Sequence, residues 1–193
     1  MKKIYFSGFL VILIAISCTA PKQVHPEDYT QFVNPFVGAA ENGHCFPGAC
    51  VPFGLIQAGP ETGNCSWAYC SGYQYTDSTI NGFSQDRLNG TVCPDLGDLL
   101  MLPFSGKPVR ETYNSRFDKG QDQAKPGYYS VVLKDFDVKA EMTAAEHTAI
   151  HRYTFRKNEP AHLLIDFQNG MVSNQKDLYR HVLDTHVNKK MIM

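Results

Sequence analysis

Several things are scarce in this chain of 193 residues. Long hydrophobic runs come first: no apolar stretch reaches the roughly 18 to 20 residues that a membrane-spanning helix needs, which argues against a polytopic membrane protein. A charge of one sign is also missing. The 18 Lys and Arg face 19 Asp and Glu, for a formal net charge of -1, so there is no electrostatic case for a nucleic-acid partner. Neither an internal repeat nor a low-complexity tract is visible, a coiled coil finds no support, and tryptophan occurs once, at Trp67. What remains is ordinary. With 43% hydrophobic residues the chain is too apolar for disorder. Once a leader is set aside, about 175 residues make one domain, or one domain plus a fragment.

The leader is Met1-Lys2-Lys3 followed by an apolar run from Ile4 to Ile16, broken only by Ser7 and Gly8. That run is too short to span a bilayer and has the shape of a secretory h-region. It ends in Ala15-Ile16-Ser17-Cys18, small residues before a cysteine, which resembles a bacterial lipobox. Residues 1–18 are therefore predicted to be a lipoprotein signal with Cys18 as the lipidated residue, the alternative being a plain cleavable signal. Residues 19–31, polar and carrying Pro21 and Pro26, read as a tether. The expected product is exported and anchored in the bacterial outer membrane, on its periplasmic or its outer face.

With Cys18 acylated, Cys45, Cys50, Cys65, Cys70 and Cys93 remain. An odd number in an oxidising compartment allows two disulfides and one thiol, and the spacing does not choose the pairing. The two C-x4-C spacings lack the tighter knuckles and matched histidines of structural zinc sites.

The chain changes texture along its length. From Phe32 to about Pro108 it is rich in Gly, Pro, Cys and aromatics, and Phe46-Pro47-Gly48, Ala58-Gly59-Pro60 and Asn89-Gly90 are predicted to punctuate it into turns. From Gly127 the pattern is β. Tyr128 to Leu133 is a β-branched and aromatic run, Lys134-Asp135 a turn, and Phe136 to Met142 alternates apolar and charged residues, as a half-buried strand does. Ala149 to Phe155 and His162 to Phe167 read as two more strands, and Leu178 to Val187 as a strand or a short helix. The expected fold is all-β, an antiparallel sandwich. Four or five clear strands leave sheet edges open, so the chain is expected to be a fragment of something longer, truncated at its C-terminus.

The loops carry ordered blocks: Asn34-Pro35-Phe36-Val37-Gly38, then Gly43-His44-Cys45-Phe46-Pro47-Gly48, then Trp67-Ala68-Tyr69-Cys70-Ser71-Gly72-Tyr73-Gln74-Tyr75, then Ile80-Asn81-Gly82-Phe83-Ser84, and Leu88-Asn89-Gly90 through Asp98. In order and spacing they resemble the N-terminal domain of the glycoside hydrolase family 92 exo-α-mannosidases, from about Phe32 to about Asn169. The resemblance implies a galactose-mutarotase-like β-sandwich over 32–193, followed in the family by an α/α toroid that this chain lacks. It also implies a Ca²⁺-dependent, inverting α-1,2-mannosidase-like activity on N-glycans. Inversion needs an acid on the leaving oxygen and a carboxylate that activates water. In the family both come from the toroid, as do most calcium ligands, so no catalytic residue and no metal ligand is expected here. The isolated chain is expected to be inactive.

What the resemblance does assign to this chain is substrate binding. Trp67 matches a tryptophan that packs on the sugar of the leaving-group side, where an indole offers flat apolar area; the alternative is a core plug. Gly43 and His44 match the loop around the terminal mannose, with glycine admitting close approach and the imidazole donating or accepting; the alternative is a structural histidine. Two departures stand out. Cys45 and Cys50 stand where the family has threonine and offer a possible disulfide, and Gln85 and Arg87 replace two histidines of the family pattern at positions that could face substrate, which puts the linkage specificity in question. Glu146, His147 and His151 look metal-like but sit on a strand and its turn, and Asp95 and Asp98 read as turn caps. Asp135, Asp137 and Glu141 read as a solvated strand face, and Tyr73 and Tyr75 as pocket wall or packing. A second expectation, from another class, is a non-catalytic mannoside-binding surface lipoprotein.

Overall fold

The structure is a computed structural model that describes residues 27–63, 66–90, 96–107, 113–156 and 158–166, with the backbone of 190–192. The leader with Cys18, Cys65, Cys93, Asp95 and the segment from Leu178 to Val187 lie outside the described residues.

Among the described residues the chain forms β-strands and three short 3-10 turns, with no α-helix. The strands are β1 (Ala49–Cys50), β2 (Gln57–Glu61), β3 (Thr79–Ile80), β4 (Gly82–Ser84), β5 (Leu100–Ser105) and β6 (Ser115–Arg116). They continue with β7 (Gln123–Lys125), β8 (Tyr128–Leu133), β9 (Val138–Ala144), β10 (Ala149–Phe155), β11 (Ala161–Asp166) and β12 (Lys190–Ile192). One sheet has the order β1-β2-β4-β5-β11-β12, a second the order β10-β9-β8-β7, and β3 pairs with β6. All the pairings are antiparallel.

The second sheet follows from period-2 patterning. Tyr129, Val131 and Leu133 on β8 and Val138, Ala140 and Met142 on β9 are buried, because alternate residues share one face. That face packs on Phe83, Leu102, Phe104 and Leu164 of the first sheet, which makes the domain an antiparallel sandwich. Each such side chain is worth about 1.5–3 kcal/mol when removed from water.

Three expectations need correction. The strand expected from Phe136 begins at Val138, because Asp137 adopts a left-handed φ of 52° and the turn runs through it. The Phe136 ring turns instead toward Phe104, 5.9 Å between centroids. Glu141 is not solvated. Arg152 Nε (2.8 Å), Lys139 Nζ (2.9 Å) and Tyr128 Oη (2.8 Å) all donate to it, leave it 7% exposed and hold its carboxyl down to about 2. Its cover is these side chains themselves rather than the core. Asp135 and Asp137 are salt-bridged at the surface, to Arg116 and Arg156.

The third correction concerns Ala58-Gly59-Pro60, which lies within β2 and is not a turn. Gln57 N–H donates to Gln85 O on the β4 side (3.0 Å), so alternation aims Pro60 at the β1 side. There β1 has already ended, its register covering only Gln57 and Ala58. A proline missing its N–H therefore costs no ladder bond. The β11 strand also leaves the meander and pairs with β5, Leu164 opposite Leu102.

Candidate functional site

Four of the blocks singled out in the sequence are joined in space: the Phe36 ring meets Tyr75 at 5.7 Å between centroids, Ser71 Oγ donates to Cys45 O (3.4 Å) and Gly90 N–H donates to His44 O (2.6 Å). The block from Ile80 to Ser84 is no loop; it supplies β3 and β4, with Ile80 and Phe83 in the core. Glu41–Gly43 forms a 3-10 turn whose C-cap, His44, has a left-handed backbone (φ 49°, ψ 32°). Glu41 is left-handed as well, with φ 50°, and two such non-glycine residues so close together mark a strained loop held by its surroundings. The turn is closed by Gly43 N–H donating to Ala40 O (3.1 Å) and Cys45 N–H to Gly38 O (3.1 Å). A Cβ on Gly43 would lie 2.2 Å from Gly38 O. Gly43 thus lets one backbone cross another, and its N–H is already engaged. Its part in the site is to seat His44.

A second 3-10 turn, Trp67–Tyr69, starts after Ser66. Cys70 N–H and the Cys70 thiol both donate to Trp67 O (3.3 and 2.8 Å). The two turns bring their rings together, His44 and Trp67 lying 4.6 Å apart between centroids at 76°, edge to face. Trp67 is 49% exposed and His44 3%, so the indole is no core plug. Neither His44 ring nitrogen has a hydrogen-bond partner among the described residues. A buried polar group left unpaired costs about 1–3 kcal/mol, and such groups are few in folded proteins. An apolar flat face with an unpaired donor–acceptor ring behind it suits a ligand that has both C–H faces and hydroxyls.

The neighbouring positions sort into packing and polar ties. Tyr73 is buried, its hydroxyl donating to Asp122 Oδ2 (3.1 Å); burial and then that carboxylate push the phenol far above its ordinary range, so it stays a donor. Tyr75 stays partly exposed with its ring edge-on to Phe36. Lys119 Nζ sits 5.4, 5.1 and 4.7 Å from the ring centroids of Tyr73, Tyr75 and Phe117.

Arg87 and Gln85, at the positions expected to carry histidine, both engage partners within the domain. Arg87 is buried and its guanidinium grips the Glu61 carboxylate with two nitrogens. Gly97, at φ 86°, makes the room: a Cβ there would lie 2.3 Å from Arg87 Cζ. Gln85 Oε1 lies 3.0 Å from His151 Nε2, and His151 Nδ1 lies 3.0 Å from Tyr153 Oη. Burial holds the imidazole down to about 4; the ring is therefore neutral at pH 7. It donates from Nε2 to Gln85 and accepts from Tyr153. Neither Arg87 nor Gln85 is poised toward the Trp67 face by these contacts. Their partners, Glu61 and His151, carry no motif in the sequence that would pair them.

Cys45 and Cys50 are separate thiols, Cys45 Sγ resting 3.4 Å from Gly43 O and the Cys50 thiol raised by burial. His151 does not converge with Glu146 and His147: among the described residues no three His, Cys, Asp or Glu side chains form a metal-binding group. Turn capping at 97–98 belongs to Asp86, not to Asp98. Asp86 Oδ1 accepts from Gly97 N–H (3.2 Å) and Asp98 N–H (3.1 Å), and burial raises its carboxyl.

The domain is thus of the class of antiparallel sandwiches with long loops, here exposing one indole with the His44 imidazole buried against it. Comparison with known proteins gives the class a family. The sequence profile of the glycosyl hydrolase family 92 N-terminal domain matches residues 32–191, and the chain belongs to that family. It is similar to a family GH92 α-mannosidase from Bacteroides thetaiotaomicron solved in complex with mannoimidazole, at 39% identity and a TM-score of 0.71, over 75% of this chain and 20% of that one. An inverting GH92 mannosidase from Bacteroides thetaiotaomicron VPI-5482 shares the fold, at 24% identity and a TM-score of 0.64, over 76% of this chain and 20% of that one. An uncharacterized secreted glycosidase of Arthroderma benhamiae is 27% identical over 197 residues, 91% of this chain and 25% of its own length. The chain thus spans about a fifth to a quarter of these relatives.

Proposed function

We propose that this chain is the loop-presenting N-terminal domain of an exported, Ca²⁺-dependent, inverting exo-α-mannosidase acting on α-1,2-linked mannose of N-glycans. In this reading Trp67 packs its indole on the apolar C–H face of the sugar on the leaving-group side. His44, seated by Gly43 against the Trp67 ring, supplies a ring nitrogen to the hydroxyls of the terminal sugar. The pair of carboxyl groups that protonates the leaving oxygen and activates water comes from protein outside this chain, so the chain binds and orients while another part moves protons. Calcium takes six to eight oxygen ligands. The described residues offer no converging acidic set, so they do not fit the ion; its ligands are assigned elsewhere and no step here runs through it. Export follows from the leader, with Cys18 as the lipid anchor in the outer membrane.

The observation that carries this reading is the half-exposed Trp67 edge-on to a buried, unpaired His44. Three things add support: the mannoimidazole-bound relative at 39% identity, the secreted relative, and the exposed large apolar residues Phe32, Val33, Val37, Phe53 and Leu55. The last would be covered where a further domain packs.

The test is mannose release from an α-1,2-linked disaccharide by a protein in which this domain is joined to its catalytic partner. Release is expected, and Trp67→Ala is expected to raise KM about tenfold, the equivalent of about 1.4 kcal/mol of lost contact. No release by the joined protein, or a KM indifferent to Trp67, overturns the proposal.

A further inference from the structure

The turns that carry His44 and Trp67 are about 25 residues apart in sequence, and among the described residues no backbone hydrogen bond joins one turn to the other. Just beyond them Ser71 Oγ lies 3.4 Å from Cys45 O; between the turns themselves a single side chain makes the link. The Gln74 amide nitrogen donates to Glu41 O (2.9 Å), in the first turn, and to Ala68 O (2.6 Å), in the second. An amide NH₂ has two hydrogens, and here each is spent on a different turn. Gln74 is itself held on several sides. Its N–H donates to Thr62 Oγ1 (2.9 Å), the next residue's N–H donates to Ala39 O (2.7 Å), and the preceding Tyr73 is anchored on Asp122. With 8% of its surface exposed, the amide has little freedom to drift.

We infer that Gln74 is a positioning residue that fixes the separation of the two turns and thereby the edge-on contact of His44 with Trp67. It does not touch the ligand itself. Its consequence for sugar binding rests on the function proposed above, whereas its effect on the ring pair needs no ligand to be seen. Since Trp67 is the single tryptophan, its fluorescence reports the surroundings of that one indole, and a His44→Ala background separates out the part due to the ring contact.

The experiment uses the whole chain with Q74L, which fills the space without donating, and Q74E, which is nearly isosteric but at neutral pH points a carboxylate at two carbonyl oxygens. Losing the two bonds is expected to shift the population toward separated turns by about 2- to 10-fold. Q74L is then expected to red-shift Trp67 emission and make it more accessible to iodide, with the far-UV spectrum retained. In a His44→Ala background, where the ring contact is already gone, adding Q74L is expected to change the signal little. Q74E is expected to show the shift at pH 7 and to return toward wild type on acidification, because a protonated carboxyl regains a donor; a space-filling role predicts no such return. Should Q74L fail to melt cooperatively, the Q74E profile carries the test. Trp67 emission unchanged in both variants, or Q74E tracking Q74L at every pH, overturns the inference. In the joined enzyme, an intact Trp67 shift with an unaltered KM for the disaccharide would leave the clamp standing and remove the sugar-facing reading of the pair.

Discussion

The sheet built from β7 to β10 and the loop-built region from Asn34 to Asp98 are held in different ways. In the sheet, neighbours in sequence are neighbours in space. β7, β8, β9 and β10 pair in chain order, and alternate residues of β8 and β9 supply the buried face. In the loop region single side chains reach across the chain: Arg87 to Glu61, Gln74 to Glu41 and Ala68, Asp86 to Gly97 and Asp98. Packing spreads its stabilisation over many apolar contacts with no paired partner, whereas a scaffold of polar ties concentrates it in pairs whose members depend on each other. A site that must hold a strained His44 loop against a half-exposed indole needs the second kind, because hydrophobic burial alone does not aim a ring.

The largest expected effect lies in that scaffold. Arg87→Met leaves the Glu61 carboxylate buried and unpaired, and is expected to cost about 3–5 kcal/mol in urea unfolding. The double variant Glu61→Leu/Arg87→Met removes both charges and is expected to recover most of that loss. In the sheet, Met142→Ala is expected to cost about 2–5 kcal/mol with no partner substitution that restores it. An Arg87→Met penalty under about 1 kcal/mol, or no recovery in the double variant, would break the distinction, since the loop region would then be held by packing as well.

The same difference explains what could be read in advance. β8 and β10 and most of β9 and β11 are visible in the sequence because their signals are local, a β-branched and aromatic run in β8 and period-2 alternation in β9. Their start and stop slip only where a backbone φ decides, as at Asp137. The strand at Ala58-Gly59-Pro60 was hidden because Gly and Pro ordinarily mark turns, and only the short register of β1 permits proline there. The loop blocks point to Trp67 and His44 through family resemblance, yet the edge-on contact between them depends on Gln74, whose two carbonyl partners have no residue-type signature. Gln85 and Arg87 looked like changes at a substrate-facing surface. Their partners, Glu61 and His151, lie 26 and 66 residues away, and nothing local announces such a pairing.

A smaller effect sharpens the comparison at the seam between the regions. His151, on β10, meets Gln85 of the loop region, and burial takes its imidazole from the ordinary 6.5 down to about 4. The folded state therefore binds fewer protons than the unfolded one between those values. By linkage this contribution is fully present above about pH 6.5 and is lost as pH falls toward 4. The slope is at most about 1.4 kcal/mol per pH unit. Glu141, held at about 2 against an ordinary 4.5, contributes above 4.5 and is lost as pH falls through 2, so the sheet's own network titrates in a lower window. Melting curves from pH 7 to 4.5 are expected to fall more steeply for wild type than for His151→Gln, which removes the titrating ring. Equal slopes would mean that the seam does not titrate in this range.

The smallest expected effect is just past the end of β8, where Lys134 Nζ meets Asp118 Oδ1 at 2.6 Å with the side chains 46% and 43% exposed. Both ends are in water, so the Coulomb gain is screened and offset by the entropy of holding two flexible side chains. Lys134→Ala is expected to move the urea midpoint by no more than the equivalent of about 0.5 kcal/mol, and less still at 0.5 M salt. Lys134 N–H donates to Arg116 O at 2.8 Å, a backbone bond that alanine keeps, so the substitution isolates the ammonium. A cost above about 1 kcal/mol that disappears in salt would show the sheet leaning on a single named charge, as the loop region does on Arg87. The contrast between packed strands and polar ties would then be one of degree.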